Sequence, residues 1–161
     1  SLIIASEYFI SGDTSHISST IIDGQSNGSV VTISNVDGAQ VKLVGLTIQN
    51  GDAQYGGAIY STNSNPRLES LFILNNNSTS NGGGFYLNGG NPNLSSISFS
   101  NNSATGYGGA IYLQNNSSAT LNKLTIDNNS AGNGAGIAMS SSNPSITNTG
   151  LSNNNADSFI M

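Results

Sequence analysis

One short glycine-containing stretch recurs along the chain at a fixed interval. Residues 55–60 have the sequence YGGAIY, which returns unchanged at 107–112, and the variants NGGGFY and NGAGIA occupy 81–86 and 133–138. The first glycine of each copy lies 26 residues after the one before it, at positions 56, 82, 108 and 134. A fixed period of this length is typical of a solenoid, in which each repeat forms one turn and stacks on its neighbours.

A second pattern precedes each glycine stretch: three apolar residues at spacings of three and two, followed two residues later by asparagine. Leu43, Leu46, Ile48 and Asn50 give the first clear copy, and Ile17, Thr20 and Ile22 fit the same frame further upstream. Alternation of period two indicates strands with one buried face. The rows expected to face inward are Leu43/Leu68/Leu94/Leu121, Leu46/Leu71/Ile97/Leu124 and Ile48/Ile73/Phe99/Ile126. Two rows of asparagine are also expected, Asn50/Asn75/Asn101/Asn128/Asn153 and Asn76/Asn102/Asn129/Asn154.

Together the two patterns predict an all-β fold, a parallel β-helix of about six coils of 25–27 residues. Each coil is expected to hold two or three short strands joined by a polar loop of Asn, Ser, Thr and Ala. Because coils stack about 4.8 Å apart, six of them form a rod of roughly 30 Å. We expect a single domain over 1–161, with an irregular first coil at 1–19, regular repeats at 20–155 and an incomplete last coil at 156–161.

The repeats also carry a resemblance to known proteins. The sequence GGAI at 56–59 and 108–111, with Phe99-Ser100-Asn101-Asn102, resembles the GGAI and FxxN repeats of the chlamydial polymorphic outer-membrane proteins. More broadly the chain is similar to the right-handed parallel β-helix repeats of bacterial surface adhesins in the pectate-lyase-like superfamily. The in-frame FxxN occurs once. The resemblance implies a right-handed coil, a surface location and an adhesive or passenger role.

Composition excludes several classes of function. Charged residues are 7% of the chain and the net charge is -5, so the clustered Lys and Arg that nucleic acid requires are missing. No stretch has the roughly 18 apolar residues of a membrane-spanning helix. Cysteine is absent, which excludes disulfides and thiolate metal sites, and we expect no metal and no cofactor. The abundance of Asn, Ser, Gly and Thr favours an extracellular or cell-surface protein.

The acidic residues do not form a catalytic pair. Glycoside hydrolysis needs two carboxylates about 5–10 Å apart. In this chain the acids occupy different places in the repeat; Asp23 and Asp127 share a row but lie four coil steps apart. We therefore expect a non-catalytic structural or adhesive solenoid. The alternative is a carbohydrate-binding or lyase-like, polysaccharide-cleaving β-helix.

Two rows of side chains are candidate binding surfaces. Tyr60, Tyr86 and Tyr112 follow an inward row by one residue, so they are expected to point outward as an exposed aromatic strip for a glycan or a protein partner. The competing interpretation is an aromatic ladder that only stabilises the sheet. The basic residues His16, Lys42 and Arg67 each precede the first apolar residue of their coil, so we expect a second strip facing an anionic sugar or carboxylate. Its alternative is a solvated corner neutralised by nearby Glu69.

The ends of the rod and one outward row complete the candidates. Leu2, Ile3 and Ile4 at one end, and Phe159 and Ile160 at the other, are apolar. Because a solenoid end exposes strand edges and a cut core, we expect either end-to-end stacking into a filament or a slice of a longer rod. A third hypothesis, ice binding, needs regular outward Thr; the outward row is irregular: Thr47, Phe72, Ser98, Thr125 and Gly150.

Overall fold

The computed structural model describes residues 1–36 and 40–157, which form a parallel β-solenoid of about five turns. Each turn contributes one strand to each of four parallel sheets, which we call A to D in the order in which a turn visits them. Six strands build each of the first two sheets. Sheet A contains β1 (Leu2–Ala5), β4 (Val41–Val44), β8 (Arg67–Glu69), β12 (Asn93–Ser95), β16 (Thr120–Asn122) and β20 (Ser145–Thr147); sheet B contains β2 (Ile21–Asp23), β5 (Thr47–Gln49), β9 (Phe72–Leu74), β13 (Ser98–Ser100), β17 (Thr125–Asp127) and β21 (Gly150–Ser152).

Five strands build each of the other two sheets. We call the coil that follows in sequence the coil above, so that β1 and β2 lie at the N-terminal end of the solenoid and β20 and β21 at the C-terminal end. Sheet C contains β6 (Asp52–Tyr55), β10 (Asn77–Asn81), β14 (Ser103–Tyr107), β18 (Ser130–Asn133) and β22 (Asn155–Ala156); sheet D contains β3 (Val31–Ser34), β7 (Ile59–Thr62), β11 (Phe85–Asn88), β15 (Ile111–Gln114) and β19 (Ile137–Ser140).

The parallel register confirms the predicted inward rows. Leu43 pairs with Leu68, and the row continues in register through the coils above. The row of Ile48 does the same in sheet B. Every member of the three predicted apolar rows is at most 2% exposed, so the core is a continuous column along the axis. Burying a Leu or Ile side chain stabilises the fold by about 1.5–3 kcal/mol, which makes this column the main stabilising feature.

The number of strands per coil is higher than predicted, because the expected polar loop is the strand of sheet C. Its inward side chains are small: Ser78, Ala104 and Ala131 are buried. Parallel pairing needs only backbone groups, so a polar segment forms a strand once its neighbours do. The glycine pair turns the chain from sheet C into sheet D, and a Cβ on Gly57 would lie 2.3 Å from the carbonyl oxygen of Asn77.

The first coil departs from the predicted frame. The irregular coil predicted at 1–19 begins with the strand β1, and a one-turn helix, α1 (Tyr8–Ser11), follows it. A second short helix, α2, covers Ser15–Ser19. Ile4, and not Ile17, lies under Leu43 in the inward row of sheet A. Residues 6–20 therefore form an excursion outside the solenoid, which a pattern of apolar spacings does not distinguish from a strand.

Candidate functional site

The tyrosine row lies on the outer side of sheet D, as predicted from its spacing. Tyr60, Tyr86 and Tyr112 pair in register through β7, β11 and β15. The ring centroids of Tyr60 and Tyr86 are 5.4 Å apart at an interplanar angle of 10°, and those of Tyr86 and Tyr112 are 5.7 Å apart at 28°. The three rings are thus stacked face to face along the solenoid axis.

The predicted exposure is wrong for Tyr86 and Tyr112, because a second layer of tyrosines covers them. Tyr55 and Tyr107 end strands of sheet C and lie 4.9 Å from Tyr86 and 6.0 Å from Tyr112, centroid to centroid. Tyr86 and Tyr112 are only 5% and 8% exposed. Burial, reinforced by the neighbouring tyrosines, raises the pKa of Tyr86 to about 12, although its hydroxyl accepts a 2.7 Å hydrogen bond from Gln114 Nε2.

The stacked rings form an aromatic ladder along the solenoid axis. A sugar stacks on the face of an aromatic ring, but both faces of Tyr86 are occupied by Tyr60 and Tyr112. Aromatic pairs of this kind contribute about 0.5–1.5 kcal/mol beyond the area that they bury. The alternative interpretation of the tyrosine row, that it stabilises the sheet, agrees with the observed geometry.

Buried asparagines form a second ladder at the corner between sheets B and C. The Oδ1 atom of Asn102 accepts from both the backbone N–H and the Nδ2 atom of Asn76, at 3.1 and 2.9 Å. Asn102 makes the same pair of bonds to Asn129, and Asn129 to Asn154. Asn76, Asn102 and Asn129 are each 1% exposed. Their amides therefore take the place of water as hydrogen-bond partners of backbone groups at the turn. The adjacent exposed row, which begins at Asn50, turns the chain with φ values of 51–56°.

The predicted basic strip contains two cations and not three. Lys42 and Arg67 are neighbours in sheet A, and Ile3 occupies the position below them. His16 lies in α2, outside the sheet, so its place in the strip is wrong. Glu69 neutralises the pair, with its Oε2 atom 3.2 Å from Lys42 Nζ and 3.6 Å from Arg67 Nε. This agrees with the predicted alternative of a neutralised corner.

The outer side of the same corner is covered by residues 6–20. The Nζ atom of Lys42 lies 4.9 Å from the centroid of the Phe9 ring, within the range of a cation–π contact. The Oγ1 atom of Thr47 donates a 2.8 Å hydrogen bond to the carbonyl oxygen of Ile17 and is buried. The first member of the outward row considered for ice binding is therefore covered, and the rest of that row is irregular as predicted.

Three carboxylates, those of Asp23, Asp52 and Asp127, accept hydrogen bonds from side chains of the coil above them. Asp23 accepts hydrogen bonds from Gln49 Nε2, the backbone N–H of Gln25 and Asn50 Nδ2, each at 2.9 Å. These bonds, that from Gln49 first, hold the pKa of the Asp23 carboxyl below its usual value. Asp127 accepts hydrogen bonds from Ser152 Oγ and Asn153 Nδ2 of the next coil. Within 1–36 and 40–157 no three His, Cys, Asp or Glu residues come together as metal ligands would.

A shallow polar cleft of about 240 Å³ lies at the corner between sheets D and A of the last two coils, and sequence reasoning did not find it. Its lining carries no charged side chain. The sequence signal is an irregularity: residues 115–119 hold one residue more than the corners at 63–66, 89–92 and 141–144, and Ser118-Ala119 replaces their Asn-Pro. The residues that line the cleft are Asn116, Ser118, Ser141, Ser142 and Asn143.

Both ends of the solenoid present apolar side chains to solvent. At the N-terminal end Leu2, Ile3 and Ile4 are 55%, 51% and 40% exposed. At the C-terminal end Ile146 and Leu151 are 43% and 54% exposed, although they belong to rows that are buried elsewhere. The predicted end residues Phe159 and Ile160 lie outside the described residues. The two helices of the described chain are each too short to cross a membrane.

Comparison with known proteins gives one match. A family model described as a right-handed beta helix region matches residues 21–160 of the chain. No curated protein and no solved structure matches significantly.

Proposed function

Because this chain belongs to the family of right-handed β-helix proteins, we propose that it is a non-catalytic structural rod outside the cell or on its surface. The observation that carries the proposal is that the residue types able to bind or react are already bound to one another. Tyr86 stacks on Tyr60 and Tyr112, and the buried asparagines bond along the axis. Asp23, Asp52 and Asp127 accept hydrogen bonds from side chains of the coil above. These contacts all run parallel to the axis and stabilise the stack of coils.

The separation of Asp23 and Asp127, the two acids that share a row, supports the non-catalytic part of the proposal. Asp23 and Asp127 lie at equivalent places of sheet B, at the ends of β2 and β17, with three strands between them. Neighbouring strands are about 4.8 Å apart, so the two carboxylates are separated by roughly 19 Å. That is about twice the largest separation at which two carboxylates hydrolyse a glycosidic bond.

Assays on polysaccharides test this proposal. The protein is incubated with pectin, alginate and neutral glycans, and unsaturated uronates and new reducing ends are measured over time. We expect no turnover above a heat-denatured control. Turnover that is lost in Arg67→Ala or Lys42→Ala, with the fold retained by circular dichroism, would show that the rod is an enzyme of the lyase-like alternative.

An adhesive role has support from the surface of the upper coils. Between residues 70 and 156 the charged residues are Lys123 and Asp127, and Asn, Ser and Thr cover most of the outside. Such a surface offers neutral hydrogen-bonding groups, which match the hydroxyls of an uncharged polysaccharide. We therefore expect retention on insoluble neutral glycans that is insensitive to salt. Retention on polyanions alone, abolished by salt, would instead assign binding to Lys42 and Arg67.

A further inference from the structure

The same two rows of core side chains extend to both ends of the solenoid. In sheet A the row of Leu43 begins with Ile4 and ends with Ile146. In sheet B the row of Ile48 begins with Ile22 and ends with Leu151. Within the described residues, each of these side chains has a neighbouring coil on one side only, whereas every other member of its row lies between two coils.

We propose that the C-terminal end of one copy binds the N-terminal end of the next, so that copies join head to tail in register. Ile4 of the upper copy then covers Ile146 of the lower copy, and Ile22 covers Leu151. This assembly goes beyond the structural role proposed above, since a rod can serve that role as a single copy.

The strand edges at the two ends are complementary as well. Strands β20 and β21 have partners on their lower edges, and β1 and β2 on their upper edges. All of them run parallel, so β1 and β2 of the upper copy continue sheets A and B of the lower copy without any reversal of direction. Continued pairing satisfies backbone groups that an edge strand leaves to water.

In the described part of the chain no strand pairs with the lower edges of β1 and β2. Residues 6–20 lie on the outside of the solenoid and contact the coils above. The Tyr8 hydroxyl, for example, accepts a 3.0 Å hydrogen bond from Ser70 Oγ, two coils higher. The four core residues of the joint are uncharged, so no buried charge opposes the contact. Within the described residues the last strand of sheet D is β19, one coil lower, and the joint is built by sheets A and B.

A head-to-tail joint makes unlike surfaces meet, and it therefore propagates into a filament. Sedimentation velocity and light scattering of the full chain at increasing concentration test for it. We expect a ladder of species for the native protein. Ile4→Lys blocks the N-terminal end and Leu151→Lys the C-terminal end, and each variant alone is expected to be monomeric, with the association at least about 100-fold weaker because a charge is buried.

The decisive sample is the equimolar mixture of these two variants. Each retains one intact end, so the mixture is expected to form a one-to-one dimer and nothing larger. Ile10→Lys is the matched control, because Ile10 is an 81% exposed isoleucine outside the joint and its replacement leaves the ladder unchanged. Ile146→Lys repeats the block of the C-terminal end if Leu151→Lys lowers the melting temperature.

Three results would overturn the proposal. The native protein remains monomeric at every concentration; Ile4→Lys or Leu151→Lys still forms the ladder by itself; or one variant alone forms a dimer. The last result means that like ends meet around a twofold axis, which the register of sheets A and B does not support.

Discussion

At the scale of single residues, the buried asparagine amides form hydrogen bonds between coils that hydrophobic side chains cannot form. Each interior ladder asparagine accepts two bonds from the coil below and donates its own N–H and Nδ2 to the coil above. The Nδ2 atom of Asn102 also donates a 2.9 Å hydrogen bond to the carbonyl oxygen of Ile73. A buried backbone group without a partner costs about 1–3 kcal/mol, so these side chains fix the position of each turn.

Removal of one amide from the ladder is therefore expected to be severe. Asn102→Ala leaves both donors of Asn76 and the carbonyl oxygen of Ile73 without this partner. We expect the free energy of unfolding to fall by about 3 kcal/mol or more, measured by urea denaturation. Asn93→Ala is the control: it is exposed on sheet A, and a change beyond about 0.5 kcal/mol there would indicate that any lost asparagine is harmful.

A buried serine offers a change in the opposite direction. Ser61 is fully buried among the inward rows, and its Oγ atom has no hydrogen-bond partner within the described chain. Ser61→Ala removes an unsatisfied polar atom and is expected to raise the free energy of unfolding by about 1 kcal/mol. Ser64, equally buried, accepts from the N–H of Val36 and donates to the carbonyl of Thr62. Ser64→Ala should therefore lower stability by a similar amount; equal effects at both sites would contradict the argument.

The tyrosine ladder predicts a dependence of stability on pH. The pKa of Tyr86 is about 12 in the folded protein against an ordinary value of 10.0. Below pH 10 Tyr86 is neutral in both states and has no effect. Between pH 10 and about 12 the unfolded chain loses this proton first, so the free energy of unfolding falls through this range. Titration followed by tyrosinate absorbance should show a late step that Tyr86→Phe removes; its persistence would assign it to another tyrosine.

At the scale of strands and turns, the sequence predicted the features that are set by residues close together in the chain. It did not predict those that are set by contacts with other coils or sheets. The inward rows follow from a spacing of two and three residues, and residues such as Leu94 and Phe99 lie where that spacing places them. The strand of sheet C was not predictable from its polar composition, because its pairing is imposed by the coils on either side. The burial of Tyr86 depends on Tyr55, which belongs to another sheet.

The excursion at 6–20 shows the same limit. Ile17 fits the apolar spacing of a strand, but Ile4 takes that position because Leu2–Ala5 pairs with a strand 39 residues later. The local pattern cannot choose between two candidates for one place in a sheet. For the same reason His16 seemed to belong with Lys42 and Arg67.

The irregular corner at Ser118-Ala119 predicts a stabilising substitution. Ala119 shares its row with Pro66, Pro92 and Pro144, and its N–H has no acceptor within the described chain. Ala119→Pro is expected to raise stability by about 0.4–1 kcal/mol, because proline restricts the unfolded chain. Ala110→Pro is the control, because the N–H of Ala110 donates a 2.9 Å hydrogen bond to the carbonyl oxygen of Ala135. Loss of that bond is expected to destabilise the protein by about 3 kcal/mol. Similar thermal shifts for both would contradict the reasoning.

At the scale of the whole molecule, the strands of each described coil pair only with those of the coils beside it, and residues 6–20 reach further, to Ser70. The four sheets, the apolar column and both ladders extend in the same direction, along the axis. The stability of such a chain is approximately a sum of coil terms and nearest-neighbour interfaces. A coil at the end has one interface where an interior coil has two, so equivalent residues are expected to contribute unequally.

Leu94 and Ile146 test this inequality because they occupy one row. Leu94 is fully buried between two coils, while Ile146 is 43% exposed at the C-terminal end. Leu94→Ala is expected to lower the free energy of unfolding by about 3 kcal/mol. Ile146→Ala removes contacts with one coil and should cost about 1 kcal/mol or less. Urea denaturation at concentrations where the protein is monomeric measures both, since a joint between copies would bury Ile146. Equal losses would mean that the end coil is as well supported as the interior, which the open rows at β20 and β21 argue against.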